Sequence, residues 1–282
     1  MIVRSGTSQE TLVTPQGVVG SITQTLVNRS SSPIRSPCPR HTIEGWDMFT
    51  VIFAIRVRAD ADLDEVAAGQ QRMLERVGEI PSFGFLGATP FMDENGDIVM
   101  VARFAAKEGL EAWRADPEHR ATMERGWADW LDSYWGGEVR PRMHWDRQTG
   151  RTGFAIPDLA DEPVTIVFCL KLREDADADA FATEQFRMLE RLSDNPVFGF
   201  RGVRVFQSED GTILVLVEFD SPTGLAAWNA DPQHRATMER GRTEWVEYGW
   251  TGELVKRVEW AREKGRTVYA CGPADDGGAS TA

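Results

Sequence analysis

Basic charge is scarce in this sequence. Lys and Arg number 31 against 44 Asp and Glu, a net charge of −13 over 282 residues. A nucleic-acid binder needs a basic footprint, and docking on anionic lipid needs basic clusters, so the composition excludes both as partners. No unbroken run of about eighteen apolar residues occurs, so nothing reads as a membrane span. Cysteine is rare, odd in number and widely spaced (Cys38, Cys169, Cys271). That pattern is neither a disulfide framework nor a C-x-x-C metal site. Four histidines (His41, His119, His144, His234) are too few and too separated for an evident metal triad. No G-x-G-x-x-G loop opens a helix, so no dinucleotide or flavin grip is indicated. The expectation is therefore a protein without metal or other cofactor. The chain does have 41% hydrophobic residues, with ten Trp and fourteen Phe. That is enough for a packed core, and the whole reads as a soluble, acidic, cytoplasmic protein.

The ends differ from the middle. Residues 1–46 hold seven Ser, six Thr and four Pro, with four Arg and two Glu. Their apolar residues have no period, and Pro15 breaks the one stretch that approaches a secretory signal. The segment reads as a disordered leader; its Arg- and Ser-rich, acid-poor make-up faintly resembles a transit peptide. Residues 265–282 read as a flexible tail.

The middle is one domain written twice. Phe49–Val139 lies on Val164–Leu254 with a constant shift of 115 and no gap, and 43 of the 91 aligned positions are identical. AWRADPEHRATMERG (Ala112–Gly126) recurs as AWNADPQHRATMERG (Ala227–Gly241), and RMLER recurs at Arg72 and Arg187. A period this long, used twice, marks a duplicated domain rather than a solenoid. The boundaries are 47–147 for the first domain, 148–163 for a linker punctuated by Gly and Pro, and 164–264 for the second.

Each repeat reads as β-α-β-β-α-β. Phe49–Val57 is apolar and β-branched, a strand pattern. Asp62–Glu79 has helical spacing and ends before Pro81. Phe83–Met92 and Asp97–Phe104 flank Asp93-Glu94-Asn95-Gly96, a hairpin signal repeated at Ser208–Gly211. A second helix runs to about Tyr134, and a last strand covers about Glu138–Trp145. Asp116 and Pro117 suit the N-cap and first helical position, which accounts for the repeated DP pair without catalysis. The order specifies an α+β, ferredoxin-like sandwich with both helices on one face of the sheet. Val99, Val101 and Arg103 alternate with Ile98, Met100, Ala102 and Phe104, so both sheet faces are apolar and need cover. The other repeat's bare sheet supplies it, which predicts an intrachain pseudo-dimer: a pseudo-twofold α+β barrel with its helices outside. A further homodimer is compatible with this. Arg103 and Glu218 occupy equivalent positions with opposite charge, so they are either an ion pair fixing the two halves or two separately solvated groups.

Trp113, the D-P-x-H-R helix start and Trp130 together resemble the antibiotic-biosynthesis monooxygenase family, over about residues 49–147 and 164–262. That family includes cofactor-free oxidation of aromatic polyketides to quinones and also haem breakdown. The resemblance implies pockets between the sheet and the helices, with Trp113 and Trp228 on the pocket wall; burial in the core is the alternative for both. A small aromatic substrate and O2 are the implied partners. In haem-degrading members the ligand histidine lies ten residues beyond the Trp, where this chain has Met123 and Met238. The first-strand Asn of that branch is also missing, and both departures count against haem degradation; the nearest histidine lies four residues earlier, so haem binding in a different pose stays open. A non-oxidative polyketide cyclase, a small-molecule binding module and a purely structural duplicate stay open.

A cofactor-free oxygenase requires a proton acceptor and donors that stabilise an oxyanion. His119 and His234 stand near the start of their helix, where the dipole favours the neutral base form; the plainer reading is an exposed first-turn side chain. Met123/Met238, Gly126/Gly241 and Trp130/Trp245 follow at helical spacing, as core or as an adaptable wall. Arg56 and Lys171 interrupt apolar strands, which is costly unless they are paired or functional. The expected catalytic set is His119, Trp113 and Arg56. The expected substrate-binding set is Met123, Trp127, Trp130, Tyr134, Trp228, His234, Met238 and Trp245. Between the repeats, Trp127 becomes Arg242 and Ser133-Tyr134 becomes Tyr248-Gly249. The first copy is therefore the more aromatic and the better suited to a flat apolar ligand.

Overall fold

A computed structural model describes residues 48–153 and 163–269. The expected leader (1–46), most of the expected linker (154–162) and the tail from 270 onward lie outside the described residues. The first repeat runs β1 (Phe49–Val57), α1 (Leu63–Glu79), β2 (Phe85–Met92), β3 (Ile98–Phe104), α2 (Lys107–Ala115), α3 (Pro117–Arg125) and β4 (Leu131–Asp146). The second runs β6 (Val164–Leu172), α4 (Ala178–Asp194), β7 (Phe200–Gln207), β8 (Ile213–Phe219), α5 (Pro222–Ala230), α6 (Pro232–Arg240) and β9 (Val246–Ala261). Short strands β5 (Gly150–Gly153) and β10 (Gly265–Val268) fold back on the ends of β4 and β9. The first of these falls inside the stretch read as linker, and the second inside the stretch read as flexible tail. No helix among the described residues is long and apolar enough to cross a membrane.

Local chemistry sets the breaks. Asp62 caps α1, accepting hydrogen bonds from the backbone N–H groups of Asp64 and Glu65. In the β2–β3 hairpin Asp93 Oδ1 accepts from the N–H groups of Asn95 and Asp97, and Gly96 takes φ 80°.

The strands close on themselves. Their order is β4-β1-β3-β2-β7-β8-β6-β9, and β9 pairs with β4 to complete an eight-stranded antiparallel barrel without a free edge. Across the β4–β9 seam Val139 lies opposite Leu254, and across the β2–β7 seam Met92 lies opposite Gln207. Both pairs are 115 residues apart, so the pseudo-twofold axis passes through both seams. Each repeat thus supplies half of one barrel, as the doubly apolar strands required.

The alternation of each strand divides the core into three. Ile52, Ala54, Val99, Val101, Val167, Cys169, Leu214, Leu216 and Trp250 point inward and fill the barrel from both repeats. The opposite parity packs on helices: Val51, Ala102 and Phe104 with Val77 and Leu110 in the first repeat, and Val164, Ile166 and Val217 with Met188, Leu192 and Trp228 in the second.

Two expectations need correction. The second helix does not reach Tyr134. Asp116 splits it, α3 ends at Arg125, Gly126–Trp130 form a single π-helical turn, and β4 already begins at Leu131. The reason lies in the sheet, because residues 131–135 must pair with the far end of β1 and with β9. Nor do Arg103 and Glu218 form an ion pair. Arg103 is buried and Glu218 exposed, with β2 and β7 standing between their strands. The residues that meet on the axis are Val139 with Leu254 at one seam and Met92 with Gln207 at the other.

The seam leaves no room at one repeated glycine. A Cβ on Gly137 would stand 2.7 Å from the Val255 carbonyl oxygen, and one on the equivalent Gly252 would stand 2.3 Å from Val139 and 2.9 Å from the Arg140 carbonyl. Overpacking of this kind costs about 1–3 kcal/mol. Gly252→Ala is therefore expected to lower the unfolding free energy by about that amount in chemical denaturation. Gly153→Ala, where a Cβ meets nothing within 4 Å, should leave it unchanged.

Candidate functional site

The two best-repeated motifs meet each other. Asp116 caps α3 by accepting from the N–H groups of Glu118 and His119, and its other oxygen accepts from Arg76 Nη2 at 2.9 Å. In the second repeat Asp231 does the same for α6 and takes a two-pronged bond from Arg191. The Arg191 hydrogen bond holds the Asp231 carboxyl down at about 2. RMLER and DPxHR are thus two sides of one helix–helix clamp, and their repetition follows from folding.

That clamp sets the histidine. With its backbone N–H tied to Asp116, His119 is half-buried and stacks on Trp113, ring centroids 4.3 Å apart. His234 stacks on the buried Trp228 at the same distance. Each tryptophan stands edge-on to a phenylalanine, Phe83 or Phe198. Burial lowers both histidines, and it takes His119 to about 4 against the opposing pull of Asp116. Both are therefore neutral at pH 7. Desolvation is the leading cause, where the sequence pointed to the helix dipole. His234 Nδ1 lies 3.1 Å from the Trp228 carbonyl, which can only accept, so Nδ1 carries the proton and Nε2 the lone pair. His119 Nδ1 is buried and feels the Trp113 carbonyl without closing a hydrogen bond of the geometry His234 has.

An aromatic wall continues from this stack in the first repeat. Trp113 packs in the layer that holds Phe53, and Phe53 lies 6.4 Å from Tyr134. Tyr134, Trp127, Trp130 and Trp260 share the adjoining cluster. Trp127 lies 6.4 Å from Trp260 and beneath the Arg266 guanidinium, and its Nε1 is buried without a hydrogen bond. Burial pushes the Tyr134 phenol up, with Arg114 and Arg266 as weaker opposing charges. Trp130 instead donates from Nε1 to Glu65 at 3.2 Å and occupies the space over Gly69, where a Cβ would lie 2.5 Å away. Trp245 is buried edge-on against Phe181, under Arg240. These last two are core. Met123 and Met238 are half-buried.

Beside each stack lies an ion cluster that the sequence reading missed. Glu138 stands opposite Val51 on the helix-facing side of the sheet. It accepts from Arg114 on α2 at 3.1 Å and from Arg257 on β9 at 2.9 and 2.7 Å. Its counterpart is Glu253 with Arg142. The signal was available: Glu and Arg recur at both positions with the same shift of 115, but the arginines fall beyond the stretch aligned.

Arg56 is not part of this wall. It lies on the barrel-facing parity of β1, at the exposed end, and its guanidinium grips Asp97 through Nε and Nη2. Arg204 from the other repeat binds the same carboxylate and Asp93. Lys171 is likewise paired, with Asp210. Inside the barrel, Thr50, Phe91, Arg103, Cys169 and Trp250 border a cavity of about 20 Å³, room for one water. Aromatic ligands need clefts of about 300 Å³ or more, so the barrel interior does not receive one. Among the described residues no cluster of three or more His, Cys, Asp or Glu is placed to hold a metal.

No family model matches the chain. Over 87 residues, 30% of this chain and 72% of the other, it is 29% identical to YqjZ, an uncharacterised protein of Bacillus subtilis (strain 168). Among solved structures it is similar to an aldoxime dehydratase bound to butyraldoxime, with 13% identity, 78% and 80% of the two chains covered and a TM-score of 0.49. An anthrone oxidase-like protein has 16% identity, coverage of 75% and 93% and a TM-score of 0.33. A monooxygenase-like protein of Listeria innocua has 12% identity, coverage of 71% and 94% and a TM-score of 0.25.

The depressed histidine carries a pH signature. An unfolded histidine takes a proton near 6.5 whereas His119 in the fold resists it until about 4. Protonation then favours the unfolded chain, so stability falls as pH drops from about 6.5 to about 4 and levels off below. Ring resonances of His119 followed by NMR should titrate near 4, and those of His234 below the ordinary range. A His119 midpoint at 6.5 would contradict the stacked, desolvated placement.

Proposed function

We propose that the chain is a cofactor-independent oxygenase that converts an aromatic phenol or anthrone to a quinone on the helix-facing wall of the first repeat. One observation carries this reading: the neutral imidazole stacked on Trp113 adjoins an aromatic layer that runs through Phe53 to the buried Tyr134 phenol, and Trp127 Nε1 in the neighbouring cluster is buried without a hydrogen bond within the protein. The second repeat replaces Trp127 and Tyr134 by Arg242 and Gly249, and its histidine is tied to the Trp228 carbonyl.

The substrate's flat ring inserts along Trp113, Phe53 and Tyr134, where apolar burial supplies about 25 cal/mol per Å² covered. His119 takes the proton from the phenol or from the anthrone methylene. An imidazole of pKa about 4 is a weak base, but the anion formed beside it raises that value by opposite charge. Trp127 N–H and Tyr134 O–H stabilise the oxyanion as it forms, and Arg114 adds a positive field at Tyr134. The substrate anion passes one electron to O2, and the radical pair combines to a peroxide anion on the ring carbon. His119 returns its proton to that peroxide; the remaining C–H bond on the same carbon then breaks as the O–O bond does, and the proton and hydroxide released leave as water with the quinone formed. One O2 is consumed: one atom enters the product, the other leaves as water, and no outside reductant is required.

Oxygen uptake with anthrone, without NADPH or added metal, tests the proposal. The protein should accelerate uptake above the buffer rate in a 1:1 ratio of O2 to substrate. His119→Gln should lower kcat about a hundredfold, more than His234→Gln does, and Tyr134→Phe about tenfold through the lost donor. No acceleration over buffer would remove the oxygenase reading; anthrone binding without turnover would put the binding module in its place.

A further inference from the structure

Between Asp116 and Gly126 the repeated motif changes at one position only: Glu118 of the first repeat is Gln233 in the second. That change falls on the helix clamp. In the first repeat the Glu118 carboxylate accepts from Arg72 Nε at 2.7 Å and Nη2 at 3.3 Å, and lies 3.4 Å from Arg76 Nε. It braces α3 to α1. The equivalent arginines on α4 are Arg187 and Arg191, and with no carboxylate at Gln233 they turn elsewhere. Arg187 donates from Nη1 to Glu184 on its own helix, and Arg191 gives both Nε and Nη2 to Asp231. Nε and Nη2 of Arg187, the counterparts of the two atoms that hold Glu118, bond no carboxylate among the described residues. Where the brace would run lies an open cleft of about 320 Å³, bordered by Arg187, Glu190, Arg191, Asp194, Asn195 and Gln233.

The first repeat shows what these donors take. A guanidinium presents two parallel N–H groups that match a carboxylate, and Glu118 fills that role from within the chain. The second repeat keeps the arginines and the space but lacks the carboxylate. The rest of the cleft narrows the choice of guest. Every bordering side chain is polar, so the guest is small and polar. The arginines spend their ion pairs on Glu184 and Asp231, which leaves Glu190 and Asp194, one helical turn apart, without a cation. A second carboxylate on the guest would be repelled there, and an ammonium drawn in. We propose that this cleft binds a free α-amino acid, its carboxylate two-pronged on Arg187 with the Gln233 amide beside it and its ammonium on Glu190 and Asp194. The site is separate from the oxidation assigned to the first repeat and needs no oxygen.

Calorimetry on the full chain with L-alanine tests it, with propionate as the carboxylate that has no ammonium. L-Alanine should bind at one site with a Kd in about the millimolar range, and propionate about tenfold more weakly. Gln233→Glu, which supplies the brace from within, should weaken L-alanine about tenfold or abolish its binding. Arg187→Gln should do the same with the wild-type Tm kept, since Arg187 is exposed. Glu118→Gln makes the reverse change and should open the matching cleft on Arg72, adding a second L-alanine event. Thermal melts show that each variant is folded. Absence of L-alanine binding, propionate binding as tightly, affinity untouched by Gln233→Glu or Arg187→Gln, or a folded Glu118→Gln variant without a second event would each overturn the proposal.

Discussion

Everything in this molecule hangs on the pairing of β4 with β9. Each of these sixteen-residue strands is longer than its own sheet needs, and the surplus reaches across to the other repeat. Without that seam each half would present an apolar sheet face to water and an unpaired edge to any passing strand. With it, two open sheets become one closed barrel whose interior draws on both repeats. The close approach at Gly137 and Gly252 shows how tightly the seam is specified. A side chain there would have to displace backbone carbonyls.

The seam also joins charges from the two repeats. Arg257 and Arg142 sit on the parts of β9 and β4 that lie beyond the axis, so each glutamate is met by an arginine from the other repeat. Duplication then allowed the halves to diverge within one frame. The Trp–His stack and the Asp–Arg clamp are alike in both, because helix packing requires them. What differs is the completion of hydrogen bonds. In the first repeat the glutamate accepts from two arginines while Trp127 Nε1 makes no hydrogen bond. In the second the histidine is satisfied while the ion pair is not. Divergence of this kind is open to a barrel made from one chain and closed to a symmetric homodimer.

Much of the fold was legible in the sequence. The ungapped repeat, the DP helix start, the hairpin turns and the doubly apolar strands Ile98–Phe104 and Ile213–Phe219 were enough to specify two ferredoxin-like units closing on each other. The helix end was misread because Gly126–Trp130 carries helical spacing up to the residue before the strand begins, and the π turn that absorbs the mismatch has no compositional mark. Of the candidate residues, Trp113 and His119 stack on each other, and Trp127 and Tyr134 share the neighbouring cluster. Arg56 does not, because strand parity turns it to the barrel side, where Asp97 holds it.

The sequence by itself determined the architecture, because period, parity and turn chemistry are local properties that the chain carries at every position. It also determined that the two halves share one helix clamp, since both sides of that clamp recur letter for letter. Only the tertiary structure decided which charges meet and which polar atoms are left over. The Arg103 and Glu218 expectation failed because equivalence in a repeat does not imply proximity to the axis. The clusters at Glu138 and Glu253 went unseen because their partners lie more than a hundred residues away in the chain for one pair and on a separate helix for the other. Burial is likewise a property of the assembled layers: the same His-Arg pair in a helix start is an ordinary exposed imidazole until Trp113 and the sheet remove its water, and only then is it held neutral at pH 7.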